Sequence, residues 1–215
     1  MSKKGGTDMF KKNLLALFII SFVFSLNAAG WADEIEQEIT SGLSAYKAKQ
    51  YSKSAEHLEF AAQKIRNLKA KKIETLFPKP LPGWIASDTE SGAVGRMFMG
   101  GVISGSKKYL KNSSTVNITI TTDNPMIGVV SGILSNPMML QMGAQLGNAA
   151  GQEIVRVKDQ KALKAWDPEN LEGSMQMVVD NRALVSIEGA NCRVEDIQKY
   201  AESIDFGKIK AYIAE

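Results

Sequence analysis

The chain has 215 residues, 44% of them apolar, with 26 Lys+Arg against 23 Asp+Glu, one His and one Cys. Residues 1–32 carry Lys3, Lys4, Lys11 and Lys12 against Asp8 alone, which leaves 22 basic and 22 acidic side chains and a formally neutral body. A neutral body lacks the basic face with which a nucleic-acid binder displaces counterions, a lone Cys forms no internal disulfide, and a lone His makes no Cys/His zinc site.

The first 12 residues are polar and basic, Leu14 to Leu26 is an apolar run of 13, and the small residues Ala28, Ala29, Gly30 and Ala32 precede the acidic stretch Asp33-Glu-Ile-Glu36. That order is a secretory signal peptide's, and it predicts cleavage after Ala32, with Gly30 and Ala32 as the small side chains at the cut and Asn27/Ala29 as a second choice. As a helix the apolar run spans only about 20 Å, short of the roughly 30 Å hydrocarbon core of a bilayer. The expected location is a bacterial periplasm, without stable membrane insertion after cleavage. Cys192 is expected to be a buried thiol there.

Residues 33–76 read as a helix hairpin. Ile35, Ile39, Leu43 and Tyr46 form one stripe, Gln50-Tyr51-Ser52 breaks it, and Ala55, Leu58, Ala62, Ile65, Leu68 and Leu76 mark a second helix. Pro78 and Pro80 end it, because the residue before a proline leaves the helical region. The spacing of Gly42, Tyr51, Ser54, Leu58 and Ala61 resembles a single tetratricopeptide-type hairpin, without the closing Pro of that repeat. A lone solenoid unit implies packing on the rest of the chain or on a partner.

Phe77-Pro-Lys-Pro-Leu-Pro-Gly83 reads as a stiff connector, with Trp84 as the anchor of a second domain, 84–215, expected to fold without the hairpin. There Thr115–Thr121 alternates Val116, Ile118 and Ile120 with polar residues, a half-buried strand. Asp123-Asn-Pro125 and Ser135-Asn-Pro137 start two short apolar helices, about 126–134 and 137–147. Four strands follow at 153–157, 162–166, 174–179 and 183–188, separated by turn residues, and then an amphipathic C-terminal helix. The fold class is α+β: a helix hairpin, then an antiparallel sheet covered by helices.

The body resembles the PsbP-like α/β sandwich. The whole layout resembles a family of secreted proteobacterial proteins in which a helix pair leads through Leu81-Pro-Gly-Trp84 into a Met-rich domain with an Asn136-Pro-Met138 helix start. The resemblance implies an architecture and no activity.

Candidate chemistry is sparse. His57, the only His, sits among Lys53, Glu56 and Glu59 as a solvated helix residue. Gly100-Gly-Val-Ile-Ser-Gly-Ser-Lys107 has the wrong order for a phosphate loop and reads as a strand or loop with tight backbone packing. Asp159, Asp167, Glu169, Asp180 and Glu188 fall in turns or on outer strand faces, unlike acid/base pairs. Met97, Met99, Met126, Met138, Met139, Met142, Met175 and Met177 all follow the connector. Thioethers select Cu(I), but no His or Cys lies near them, and Met also fills cores, apolar pockets and binding faces.

These observations describe a non-enzymatic periplasmic interaction or binding protein, without a cofactor or metal, whose partner is another periplasmic protein. Its candidate interaction or pocket residues are Lys47, Lys49, Lys53, Trp84, Met138, Met139 and Met142. The alternative is a carrier of a small apolar ligand or lipid in a Met-lined pocket between helices 126–147 and the sheet; a third reading is a carboxylate-based enzyme.

Overall fold

The computed structural model describes residues 33–93, 102–145 and 151–215, with backbone only for Ala93 and 142–145. The leader, Met97, Met99 and most of the Gly-rich stretch lie outside the described residues, as does the Met142 side chain. The chain forms two compact units, one ending at Ile65 and one running from Arg66 to Glu215.

The first unit holds α1 (33–47) and most of α2 (Tyr51–Lys72). The turn between them is a Schellman motif. Lys49 takes φ 59°, its N–H bonds Tyr46 O at 2.9 Å, and the N–H of Gln50 bonds Ala45 O at 2.9 Å. Two orphan carbonyls of α1 are thereby satisfied, and the chain reverses within three residues.

The second unit is built on a seven-stranded antiparallel sheet in the order β1-β2-β3-β7-β6-β5-β4. Its strands are β1 (Ile85–Ala93), β2 (Ile103–Lys111), β3 (Ser114–Thr122), β4 (Gln152–Val157), β5 (Gln160–Asp167), β6 (Glu172–Val179) and β7 (Ala183–Ala190). Tight turns of two or three residues set much of the register. Asp180 and Asn181 both have positive φ, the requirement of a type I′ turn, and Asn112 supplies another left-handed position between β2 and β3. Between β3 and β4 lie α3 (Met126–Ser135) and α4 (Pro137–Gln145); α5 (Val194–Ser203) and α6 (Phe206–Ala214) end the chain. The Asn-Pro pairs start α3 and α4 by one device: Asn124 Oδ1 accepts from Met126 N–H at 2.8 Å, and Asn136 Oδ1 from Met138 N–H at 3.1 Å.

The two faces of the sheet differ because side chains alternate along each strand. One face carries Tyr109, Val116, Ile118, Ile120, Met175, Met177, Val185 and Ile187, buried beneath Ile197 and Tyr200 of α5 and Ile209 and Ile213 of α6. On the other, α3 packs Ile127, Val130 and Leu134 onto Leu163 and Leu184. Beside it, Ser106 donates to Asn117 Oδ1 at 2.9 Å and Ser104 lies 3.4 Å from Thr121, a half-buried polar surface.

The prolines do not mark the edge of the second unit. Ala70 in the last turns of α2, and Ile73 and Leu76 in the 3₁₀ turn Ile73–Leu76, are buried in the core that the sheet forms with α5 and α6. Ile73 sits directly over Gly105 of β2, where a Cβ would collide with its Cγ2. That contact accounts for Gly105: it seats a helix, in the middle of a paired strand, and cradles no phosphate. The connector is held as well. Tyr109 donates its hydroxyl to Pro78 O at 2.7 Å, and Leu81 N–H donates to Tyr200 Oη at 3.4 Å. Trp84, only 7% exposed, meets Tyr200 edge-on at 5.3 Å.

Cys192 is a free thiol, buried against Gly189 and Ile197 at the start of α5. Burial, and secondarily the charge of Asp196, pushes its pKa up to about 11. Because the thiolate is the nucleophile, alkylation near pH 8 should run about a hundredfold slower in the native protein than in the unfolded chain. Labelling at equal rates in both would contradict this burial.

Candidate interaction surface

The interface between α1 and α2 is narrow and half polar. Gly42 leaves room for Leu58, whose Cγ would lie 2.8 Å from any Cβ added there. The close approach lets buried Ser54 donate to Gly42 O at 2.8 Å. His57 Nδ1 lies 2.7 Å from Glu38 Oε2, and Lys64 Nζ lies 2.5 Å from Glu34 Oε1, so charged and polar pairs tie the helices at their edges. His57 is therefore half-buried and bridges the helices, whereas its neighbours in sequence suggested a fully solvated residue. Ala61 is buried as well.

Most of the apolar stripe of α1 stays outside that contact, and Leu58, seated against Gly42, is only partly covered by it. Ile35 is buried, but Ile39 is 43% exposed, Leu43 50%, Tyr46 60%, Tyr51 62% and Leu58 43%. By helical periodicity, Ile39, Leu43 and Tyr46 share one flank of α1 and Tyr51 and Leu58 one flank of α2. In an antiparallel pair these flanks lie on the same side of the hairpin. The rings of Tyr46 and Tyr51 meet at 6.0 Å across the turn, continuing the face around the tip. Lys47, Lys49 and Lys53 stand exposed at the tip, without an acidic residue between Ile39 and Ala55.

The remaining sequence candidates scatter. Trp84 belongs to the core of the second unit, because the edge of Tyr200 and the sheet cover it, and it offers no docking surface. Met138 and Met139 are exposed on α4, and Met126 and Val129 on α3. Met175 and Met177 are fully buried under the C-terminal helices. Between α3 and the sheet the described side chains make the aliphatic contact of Ile127, Val130 and Leu134 with Leu163 and Leu184. The cleft at the start of α3, about 410 Å³, is lined by Asp123, Asn124, Arg182 and their neighbours and by no methionine.

The acidic residues serve turns and surfaces. Asp167 accepts from the Asn170 side chain at 2.7 Å and from the Glu169 and Asn170 N–H groups, which lowers its pKa and fixes it as the cap of the β5–β6 turn. Asp180 lies 3.5 Å from Lys210 Nζ. Glu188 borders an open cleft of about 560 Å³ with Asn117, Ser174 and Glu172. Among the described residues, no three of His, Cys, Asp and Glu are grouped to hold a metal ion, and no helix is long and apolar enough to cross a membrane.

The exposed hairpin face was half visible in the sequence. The stripe is plain in the sequence, but what covers it is not; Gly42 and Ser54, which draw the helices together along a different line, are the signal that places most of it outside the contact. No family model matches the chain, and no curated protein and no solved structure matches it.

Proposed function

We propose that the chain is an exported, non-enzymatic protein-interaction protein, with the helix hairpin as its docking element and the sheet unit as its scaffold. The observation that carries this reading is the run of five large apolar side chains, Ile39, Leu43, Tyr46, Tyr51 and Leu58, exposed on one side of the hairpin. Contiguous apolar patches are rare on soluble monomers and mark interaction sites when polar residues rim them. Here Lys47 and Lys49 form part of the rim. The likeness of the hairpin to a tetratricopeptide unit supports the same reading, as does a leader with the residue order of a secretory signal peptide.

The test is substitution on the two flanks. Leu43→Glu should abolish recovery of the polypeptide that copurifies with the wild-type chain, with the far-UV spectrum and the melting of the sheet unit unchanged, because Leu43 contributes little to the α1–α2 contact. Gln37→Glu, on the polar flank of α1, should retain it. Equal retention by both variants would contradict a docking role for this face.

A further inference from the structure

Resting on that reading of the hairpin, we infer that the polypeptide docked on its apolar face is a second copy of this chain, packed antiparallel along α1. The argument is the distribution of charge around the face. The first turns of α1 carry Asp33, Glu34, Glu36 and Glu38 with no Lys or Arg before Lys47, and the tip carries Lys47, Lys49 and Lys53 with no acidic residue before Glu56. Glu34 and Glu38 face Lys64 and His57 of α2, so Asp33 and Glu36 carry the remaining negative charge at the start of α1, and the tip is positive.

The two signs also fall on one edge. Glu36 and Lys47 are separated by three helical turns, so both stand beside the stripe of Ile39, Leu43 and Tyr46, at opposite ends. Two copies related by a two-fold axis near Gly42 lay Ile39 of one over Leu43 of the other. The same axis brings each Glu36 to the partner's Lys47 and Lys49. An isologous contact repeats every favourable pair twice, whereas a parallel arrangement would stack like charges, which costs affinity strongly. The geometry is self-complementary in both apolarity and charge.

Sedimentation equilibrium of the purified chain from Asp33 onward tests it. The wild type should dimerise, more weakly at high salt. Lys47→Glu/Lys49→Glu makes the tip acidic like the start of α1, and Glu36→Lys makes the start of α1 less acidic; each variant alone should dimerise at least about tenfold more weakly. An equimolar mixture of the two should recover a dimer, because each copy then offers the charge the other lacks. A wild type that stays monomeric at its highest soluble concentration, variants that dimerise undiminished, or a mixture that recovers nothing would each overturn the inference. A monomeric wild type that still loses a different bound polypeptide through Leu43→Glu overturns only the second copy; a monomer indifferent to Leu43→Glu overturns docking as well.

Discussion

A chain starting at Trp84 should not fold cooperatively, whereas one starting at Arg66 should. The difference is the segment that precedes the prolines. Ala70, Ile73 and Leu76 are buried in the main core, and Ile73 occupies the space left by Gly105. Removing a fully buried isoleucine costs its transfer free energy plus that of the cavity, about 2–5 kcal/mol. Ile73→Ala alone should therefore destabilise the full chain by about 3 kcal/mol in urea titration. Deleting all three residues, with the connector bonds, takes away a large share of the roughly 5–15 kcal/mol that holds a domain. Gly105→Ala should reproduce much of the Ile73→Ala loss from the opposite side, because the new Cβ displaces Ile73. A Trp84–Glu215 fragment as stable as Arg66–Glu215 would show that this packing is incidental.

The second large effect is expected at the tyrosine clasp. Tyr200 is fully buried between Trp84 and Tyr109, whose ring centroid lies 4.5 Å away. Tyr200→Ala should cost about 3–5 kcal/mol, as large aromatic truncations do. Tyr109→Phe keeps the ring and loses only the bond to Pro78 O, and should cost about 1 kcal/mol. The clasp also predicts a pH dependence. Burial pushes the Tyr200 hydroxyl up to about 12, and burial followed by the nearby Tyr200 raises that of Tyr109. An ordinary tyrosine in the unfolded chain ionises near pH 10, so unfolding releases protons above that value. The stabilisation is complete below pH 10 and falls as the pH rises toward 12. Tyr109→Phe should flatten this alkaline loss; a wild type whose stability is constant from pH 9 to 12 would contradict the burial of both hydroxyls.

The parts legible in the sequence are those whose local chemistry matches the fold. The Thr115–Thr121 alternation is β3, the two Asn-Pro pairs cap α3 and α4, and Asp180-Asn181 closes β6 to β7. The strand β1 was not legible, and β2 was legible only as a tightly packed stretch around Gly105. In Ile85–Ala93 the polar run Ser87–Gly92 leaves no apolar alternation, because β1 is an edge strand with an irregular register at Ala86/Thr89 and little of it is buried. In β2, Gly105 stands where an apolar residue would complete the pattern, since Ile73 fills that place from another element. The single amphipathic pattern at the C-terminus is two helices, α5 and α6, because Ile204 is extended and Asp205 caps the next turn by accepting from Lys208 N–H at 3.0 Å.

The candidate site was legible as composition and misplaced as geometry. Lys47, Lys49 and Lys53 are where a hairpin tip must be. Periodicity shows that the apolar residues beside them share a face and is silent on what covers it. Trp84 failed as a surface for the complementary reason: an aromatic after a proline run can anchor inward, and the partner that holds it, Tyr200, is distant in sequence.

The account rests on that face being covered by a polypeptide in the cell. A photo-crosslinking residue in place of Leu43, in the full chain expressed in its own compartment, tests this directly, with Gln37 on the polar flank as the control position. The predicted result is a discrete higher-mass polypeptide adduct at position 43 and none at position 37. No adduct at 43, or equal adducts at both, would contradict the docking role of the hairpin.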